Sequence, residues 1–217
     1  MVIAFDLDDT LYDELTYVES GFRAVAWWGA HHFGWDPDSA LHTMREKLIT
    51  EGRGAIFQAL LPTRTLVRQA VQVYRHHQPS IVLWPEAARV LDALAPRQLY
   101  LVTDGHKVVQ GNKIRALGLP SRFRHCYLTS RYGRDAAKPS LRCFELLCRR
   151  TGADWSELVY IGDNPAKDFV SLNRMGACTV RVHTGQHAAV EAPPSWDASI
   201  HLSSLGELPG AFPHWFQ

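Results

Sequence analysis

A hydrophobic run of four residues, Val2-Ile3-Ala4-Phe5, stops abruptly in an acidic segment, Asp6-Leu7-Asp8-Asp9-Thr10. An uninterrupted apolar run of this length reads as a strand buried on both faces, as the strands of a parallel sheet are. Asp6 and Asp8 are separated by one residue, so near the end of an extended segment both can be directed at one site. Crowding like charges at the edge of a core costs energy unless a cation compensates. The layout suits a carboxylate nucleophile, a second carboxyl for proton transfer and a divalent cation that makes the crowding tolerable.

The rest of the chain supplies a setting for such a site. From about Glu14 to Gln78 the apolar spacing is helical, as in Leu15, Val18, Phe22, Val25 and Ala26, and Asp36-Pro37 combines an N-cap with a proline at the first helical position. Beyond Trp84-Pro85-Glu86 the pattern alternates. Buried strands are expected at Leu99–Val102, Cys126–Thr129, Leu158–Ile161 and Cys178–Val182, the last clear strand. Helices are expected near Ala87–Leu94, at Val108–Leu117, around Leu141–Leu147, and from Asn164-Pro165 to near Gly176. Strand and helix in alternation imply an α/β fold with a parallel sheet covered by helices on both faces. The all-helical block between the first strand and the others reads as an inserted domain. The expected organisation is a core of residues 1–13 and 85–217 with a helical cap of residues 14–84.

In an open parallel sheet, ligands bind beyond the carboxyl ends of the strands. Strand one delivers Asp6, Asp8 and Thr10 there. The strand ending at Val102 delivers Thr103-Asp104-Gly105, a hydroxyl followed by amides that glycine lets approach a ligand closely. Lys138-Pro139-Ser140 places an ammonium ahead of a helix start, where anions are favoured. The strand ending at Ile161 delivers Gly162-Asp163, with Asp168 five residues on. Carboxylates for a cation, with a hydroxyl, amides and a lysine for an anion, fit a phosphate with bound magnesium. Phosphoryl transfer needs chiefly positioning and charge neutralisation.

These residues, Asp6-Leu7-Asp8-Asp9-Thr10, Thr103, Lys138 and Gly162-Asp163 with Asp168, occur in the order of the four motifs of the haloacid dehalogenase-like hydrolases. The chain resembles that superfamily, most of whose members are phosphatases, over essentially its whole length. The resemblance implies a Rossmann-like core with an inserted all-helical cap and a magnesium-dependent phosphatase acting on a small phosphorylated metabolite, of sugar-phosphate or nucleotide type. It implies that Asp6 attacks phosphorus to form an aspartyl-phosphate and that Asp8 protonates the leaving oxygen and then deprotonates water. Thr103 and Lys138 would hold the phosphate. Asp6, Asp163 and the backbone carbonyl of Asp8 would hold Mg²⁺, with Asp168 acting through metal-bound water. Asp104 departs from the commoner asparagine; its amide can serve the phosphate while its carboxylate turns towards nearby backbone or solvent.

A 2-haloacid dehalogenase shares this nucleophile and fold, but lacks an acid two positions after the nucleophile, where Asp8 stands. A phosphomutase would need the cap to hold a phosphorylated intermediate. A non-catalytic phosphate-binding module would not require so complete a residue set. In the cap, Trp27, Trp28 and Trp35 read mainly as core; Trp28 and Arg53, the latter between Gly52 and Gly54, are the candidates for contacting substrate.

The formal charge of +1 over 217 residues gives no footprint for nucleic acid or an anionic membrane. No apolar stretch is long enough for a bilayer span, and the N-terminal run is too short for a signal peptide. Cys126, Cys143, Cys148 and Cys178 lack paired metal-ligand spacing and read as reduced thiols, so a cytoplasmic monomer or homodimer is expected. His183 and His187 are four apart, but the intervening Gly185 argues against a helical metal pair. His31, His32, His76 and His77 are expected at exposed positions.

Overall fold

Strand β1 (Val2–Phe5) is buried at every residue, as a strand with sheet neighbours on both sides and helices on both faces must be. The computed structural model describes all 217 residues. Three helices follow β1, namely α1 (Glu14–Phe33), α2 (Pro37–Glu51) and α3 (Arg64–His76), and then α4 (Pro85–Ala93), β2 (Leu99–Thr103), α5 (Lys107–Ala116) and β3 (His125–Leu128). The chain continues through α6 (Arg142–Thr151), β4 (Leu158–Gly162), α7 (Val170–Met175), β5 (Cys178–Val182), β6 (Ile200–Leu202) and α8 (Leu208–Ala211). The chain divides into two compact units, residues 1–14 with 82–217 and residues 15–81.

The larger unit is an α/β fold built on one six-stranded sheet in the order β3-β2-β1-β4-β5-β6. Every pairing is parallel. Phe5 pairs with Leu101 on one side and Ile161 on the other, so the carboxyl ends of β2, β1 and β4 finish side by side. The chain runs outward from β1 through β2 to β3, then crosses to the other side for β4. That reversal leaves a crevice at the carboxyl end of β1.

One face of the sheet buries Val2, Ala4, Tyr100, Val102, Leu158 and Tyr160 against Phe144 and Leu147 of α6 and Leu172 of α7. Each large apolar side chain sequestered this way contributes about 1.5–3 kcal/mol. In the helical unit, Val18, Phe22 and Val25 of α1 pack with Met44 of α2 and Ala70 of α3. Asp36 caps α2 by accepting the Ser39 N–H at 2.9 Å, and Thr63 caps α3 through the Leu66 N–H.

Three sequence expectations change. The segment from Asn164 does not start a helix; α7 begins only at Val170. Asn164 does cap a turn, its Oδ1 accepting the Ala166 N–H and its carbonyl the Lys167 and Asp168 N–H groups, but that turn is not continued, and Asp168 Oδ2 reaches back to the Asn164 N–H. A sixth strand exists beyond Val182: Ile200-His201-Leu202 is too short and too polar for an apolar run to reveal it. His77 is half-buried rather than exposed, its ring 4.9 Å from that of Tyr17 and its Nδ1 2.6 Å from the Tyr74 carbonyl oxygen. Burial pushes its imidazole pKa down.

Arg181 of β5 is fully buried, donating to Asp197 Oδ2 at 2.9 Å and to the carbonyls of His187 and Val190 at 2.8 and 2.7 Å. It closes the loop between β5 and β6 onto the sheet. Arg181→Ala strands Asp197 and two carbonyls, and should lower stability by about 3–5 kcal/mol in urea unfolding. A loss below about 1 kcal/mol would show that water replaces the guanidinium.

Candidate active site

The carboxyl end of β1 places Asp6 directly after Phe5, and its N–H still bonds the Ile161 carbonyl at 2.8 Å. Sheet pairing therefore fixes the backbone of Asp6 before its side chain meets anything. The Asp6 carboxylate is 2% exposed and lies 2.8 Å from Lys138 Nζ. The same ammonium lies 2.7 Å from Asp168 Oδ1 and donates to the Tyr160 hydroxyl at 2.8 Å. Tyr160 in turn donates to the Val102 carbonyl of β2 at 3.2 Å. A lysine from the loop after β3 is thus held among β1, β4 and the β4–α7 loop, rather than at the start of α6.

Asp6, Asp163 and Asp168 are all buried and can bring one carboxylate oxygen each within 4.8 Å of the others. Asp168 Oδ1 has no aligned hydrogen-bond donor, so its contact with Lys138 is ionic only. A Cβ at Gly162 would come within 2.7 Å of Asp168 Oδ2, so only glycine lets the turn after β4 fold the acid back. Buried oxygen donors of this charge and spacing fit a hard divalent cation such as Mg²⁺, which binds through carboxylates and keeps some of its water.

The electrostatics divide the acids. Burial, reinforced by Asp168 and offset by Lys138, pushes the Asp6 pKa up to about 6. Asp163, buried beside Asp168 and Asp6 with only partial relief from Lys138 and Lys167, rises to about 9. Burial opposes the charge on Lys138, but Asp168 and Asp6 outweigh it and hold its pKa well above the ordinary value. Asp8 is different. Burial raises its pKa, yet the Lys113 ammonium and hydrogen bonds from Lys113, Tyr12 and Gln110 overcome this and hold it below the usual range.

Asp8 Oδ1 accepts from the Tyr12 hydroxyl and from Lys113 Nζ, both at 2.6 Å, and its Oδ2 accepts from Gln110 Nε2 at 2.8 Å. Gln110 Nε2 also donates to Thr103 Oγ1 at 2.6 Å, tying Asp8 to the hydroxyl at the end of β2. Asp9, which needs no catalytic role, takes a positive φ of 53°. Its carboxylate accepts the N–H groups of Glu14 and Gln186. A Cβ at Gly185 would fall 2.0 Å from Asp9 Cγ, which explains the glycine in that loop.

Asp104 does turn towards backbone. Its Oδ1 accepts the Thr129 hydroxyl at 2.8 Å and the Lys138 N–H at 3.1 Å, and its Oδ2 lies 3.8 Å from Lys167 Nζ. Its carboxylate therefore links the loops after β2, β3 and β4, which an asparagine amide would do without the charge. Arg53 and Trp28 belong to the helical unit. Arg53 sits in a short helical turn, Gly52–Gly54, and Trp28 packs on His32, Phe33 and Trp35 with ring centroids 5.3, 5.2 and 6.3 Å away. Trp27, expected in the cap core with Trp28 and Trp35, is instead 69% exposed, while the other two pack against that core. His183 and His187 diverge: His183 Nε2 meets His201 Nδ1, whereas His187 Nε2 meets Asn164 Nδ2.

Sequence reasoning passed over Gln110, Lys113, Tyr12, Tyr160 and Lys167. A faint signal existed for the first two, which stand three apart on one face of the helix after Thr103. For Tyr160 the signal was the single hydroxyl in an otherwise apolar strand.

The sequence model of the haloacid dehalogenase-like hydrolases matches residues 1–176. The chain belongs to that family. A glyceraldehyde 3-phosphate phosphatase of Methanocaldococcus jannaschii is 28% identical over 218 residues, covering 95% of this chain and 94% of its own. A protein of the same name from Methanopyrus kandleri is 28% identical over 204 residues, covering 87% and 86%. Among solved structures, a phosphatase of the family from Thermococcus onnurineus superposes with a TM-score of 0.64 at 20% identity, covering 97% of both chains. A 2-haloacid dehalogenase from Pseudomonas syringae gives 0.68 at 22% identity over 99% of this chain and 100% of its own. Those two likenesses establish the shared fold. Family membership, with curated phosphatase relatives along most of the chain, makes this protein an enzyme of the phosphatase kind. No helix is long and apolar enough to cross a membrane.

The carboxyl of Asp163 keeps its proton in the fold up to a pKa of about 9. An unfolded Asp releases its proton near pH 4, so the folded state binds more protons across the interval and loses stability as pH rises through it. With chelator present, Asp163→Asn should therefore be the more stable protein. The gain should grow from about pH 5 to about pH 8, by roughly 1.4 kcal/mol for each pH unit over which only the unfolded chain is ionised. Urea unfolding at the two pH values checks this, and an equal difference at both would contradict the assigned charge state.

Proposed function

We propose that the enzyme is a magnesium-dependent phosphatase of a small sugar phosphate, working through an aspartyl-phosphate on Asp6. The observation that carries the proposal is the buried cluster of Asp6, Asp163 and Asp168 facing the Lys138 ammonium. The names of the curated relatives support a substrate as small as glyceraldehyde 3-phosphate.

In this reading Asp6 presents one carboxylate oxygen to phosphorus while Lys138 neutralises charge on the phosphoryl oxygens, aided by the Thr103 hydroxyl and the amides after it. Asp8 transfers a proton to the departing oxygen as its bond to phosphorus breaks. It then takes a proton from the water that attacks the aspartyl-phosphate, and Asp6 is restored. Asp6, Asp163 and the Asp8 carbonyl, with Asp168 through water, would hold Mg²⁺, which supplies positive charge for the phosphate oxygens. Tyr160 and Asp168 keep the Lys138 ammonium in place. The helical unit serves as the cap, and Arg53 and Trp28 are its substrate-facing candidates.

Asp8 also separates this reading from dehalogenation, which has no leaving oxygen to protonate. A phosphomutase would return the phosphoryl group to the substrate instead of passing it to water.

Phosphate release from a panel of phosphorylated sugars and nucleotides, with Mg²⁺ and with chelator, tests the proposal directly. Asp6→Asn should abolish turnover; undiminished release would sink the mechanism. Asp8→Asn should cost about 10²–10⁴-fold in kcat, the usual worth of a positioned proton donor. Chloride release from a 2-chloro acid without metal would move the assignment to dehalogenation.

Magnesium binding at pH 7.5 should also expel protons, since Asp163 titrates only at about 9. Titration calorimetry in two buffers of different ionisation heat measures that release. A buffer-independent heat would remove Asp163 from the metal site.

A further inference from the structure

Helix α5 turns two polar residues, Gln110 and Lys113, into the interior, where they are 1% and 2% exposed. They stand three apart on one face of the helix, over the ends of β1 and β2. Burying an ammonium and an amide costs desolvation that apolar residues of similar size would avoid. What they supply instead is donors.

Each donor has a specific destination. Lys113 Nζ lies 2.6 Å from Asp8 Oδ1 and 3.4 Å from Glu14 Oε1. With the Tyr12 hydroxyl also on Asp8 Oδ1, that oxygen takes two donors. Gln110 Nε2 has two hydrogens, and both are used: one on Asp8 Oδ2 at 2.8 Å, the other on Thr103 Oγ1 at 2.6 Å. Because Thr103 Oγ1 accepts from Gln110, its own hydrogen must point elsewhere. Within the protein it reaches the Asp104 carbonyl only at a long 3.5 Å. Asp8 Oδ2 carries one donor and keeps a lone pair for other use.

We propose that Gln110 and Lys113 are positioning residues that make Asp8 Oδ2 the proton-transferring oxygen and aim the Thr103 hydroxyl hydrogen at the phosphoryl group. The inference rests on the reading of Asp8 as acid and base and of Thr103 as a phosphate ligand, and it names how both are oriented. In the first half-reaction Oδ2 relays to the leaving oxygen a proton that the substrate brings as its phosphate monoanion, as the P–O bond breaks and the Asp6–P bond forms. In the second, Oδ2 takes a proton from water as the water oxygen bonds to phosphorus and the Asp6–P bond breaks. Lys113 and Tyr12 anchor Oδ1, so the carboxyl cannot rotate and exchange its two oxygens. Gln110 keeps Oδ2 and Thr103 on one line of donors.

The test compares leaving groups. Glyceraldehyde 3-phosphate departs as an alkoxide and needs a proton, whereas 2,4-dinitrophenyl phosphate departs without one. In pre-steady-state experiments with excess substrate on the Mg²⁺-loaded full chain, Gln110→Met and Lys113→Met should lose about 10²-fold on the sugar phosphate. On dinitrophenyl phosphate their burst of dinitrophenolate should stay within about fivefold of the parent, followed by slowed steady turnover. Gln110→Met should in addition raise KM for both substrates through Thr103. Equal losses on the two substrates would overturn the proposal and leave a structural role. Lys113→Met leaves Asp8 and Glu14 without its charge and so carries the greater folding cost; Gln110→Met swaps neutral for neutral and decides the matter if the lysine variant fails to fold. Asp8→Asn is the control. If it shows the split and the two variants do not, positioning alone fails; if it shows no split, the acid–base assignment of Asp8 fails with it.

Discussion

A single ammonium group, Lys138 Nζ, lets the end of the central strand carry its acids. It lies within 2.8 Å of Asp6 and 2.7 Å of Asp168, fully shielded from solvent. Without it, three buried carboxylates would face one another across less than 5 Å, and burial alone already drives two of them towards the neutral form. The scaffold serves that contact. Tyr160 reaches from β4 to fix the ammonium, the Val102 carbonyl fixes Tyr160, and Asp104 fixes the Lys138 backbone. The same arrangement leaves the cluster short of positive charge once Lys138 is counted, which is why it suits a divalent cation and an anion together.

Much of this could be read from the chain because the informative residues are local. A run such as Val2–Phe5 ending in Asp6, or Leu158–Ile161 ending in Gly162-Asp163, encodes both a buried strand and the group at its end. Parallel pairing then brings Asp6, Thr103 and Asp163 to adjacent strand ends without further information. Gln110 and Lys113 were obscured for the opposite reason. A polar residue in a helix is ordinarily a solvated one, and nothing local says that this face of α5 turns inward. The β4–α7 loop differs for a third reason: Asn164-Pro165 carries a helix-start signature and does cap one turn, but that turn is not continued into α7. That turn, and not a helix, returns Asp168 to Lys138.

Asp104 shows how a departure from a motif can be structural. Its carboxylate could have burdened an anionic substrate with a like charge. Instead it accepts from Thr129 and from the Lys138 N–H and faces Lys167, so the extra charge is spent on joining loops. Lys167, whose own charge is opposed by burial and by Lys138 and restored by Asp6, Asp168 and Asp104, belongs to the same balance.

Asp6 and Asp8 are two residues apart and identical in chemistry, yet the fold gives them opposite tendencies. Asp6 shares one lysine with Asp168 in a buried cluster, and its pKa rises to about 6. Asp8 has Lys113 nearby and donors on both oxygens, and its pKa falls. Neighbours of this kind assign roles to paired carboxyls in many hydrolases. Here the order is informative. A raised nucleophile is one whose charge is held in place by a cation at its side, so loss of that cation would silence it before it altered its position. A lowered acid, by contrast, must borrow its proton within the reaction, so the donors that hold it have to fix which oxygen does so. The first requirement is met by Lys138 from the β3 side of the sheet and the second by α5 from the β2 side. Two separate elements thus set two chemistries on one strand end.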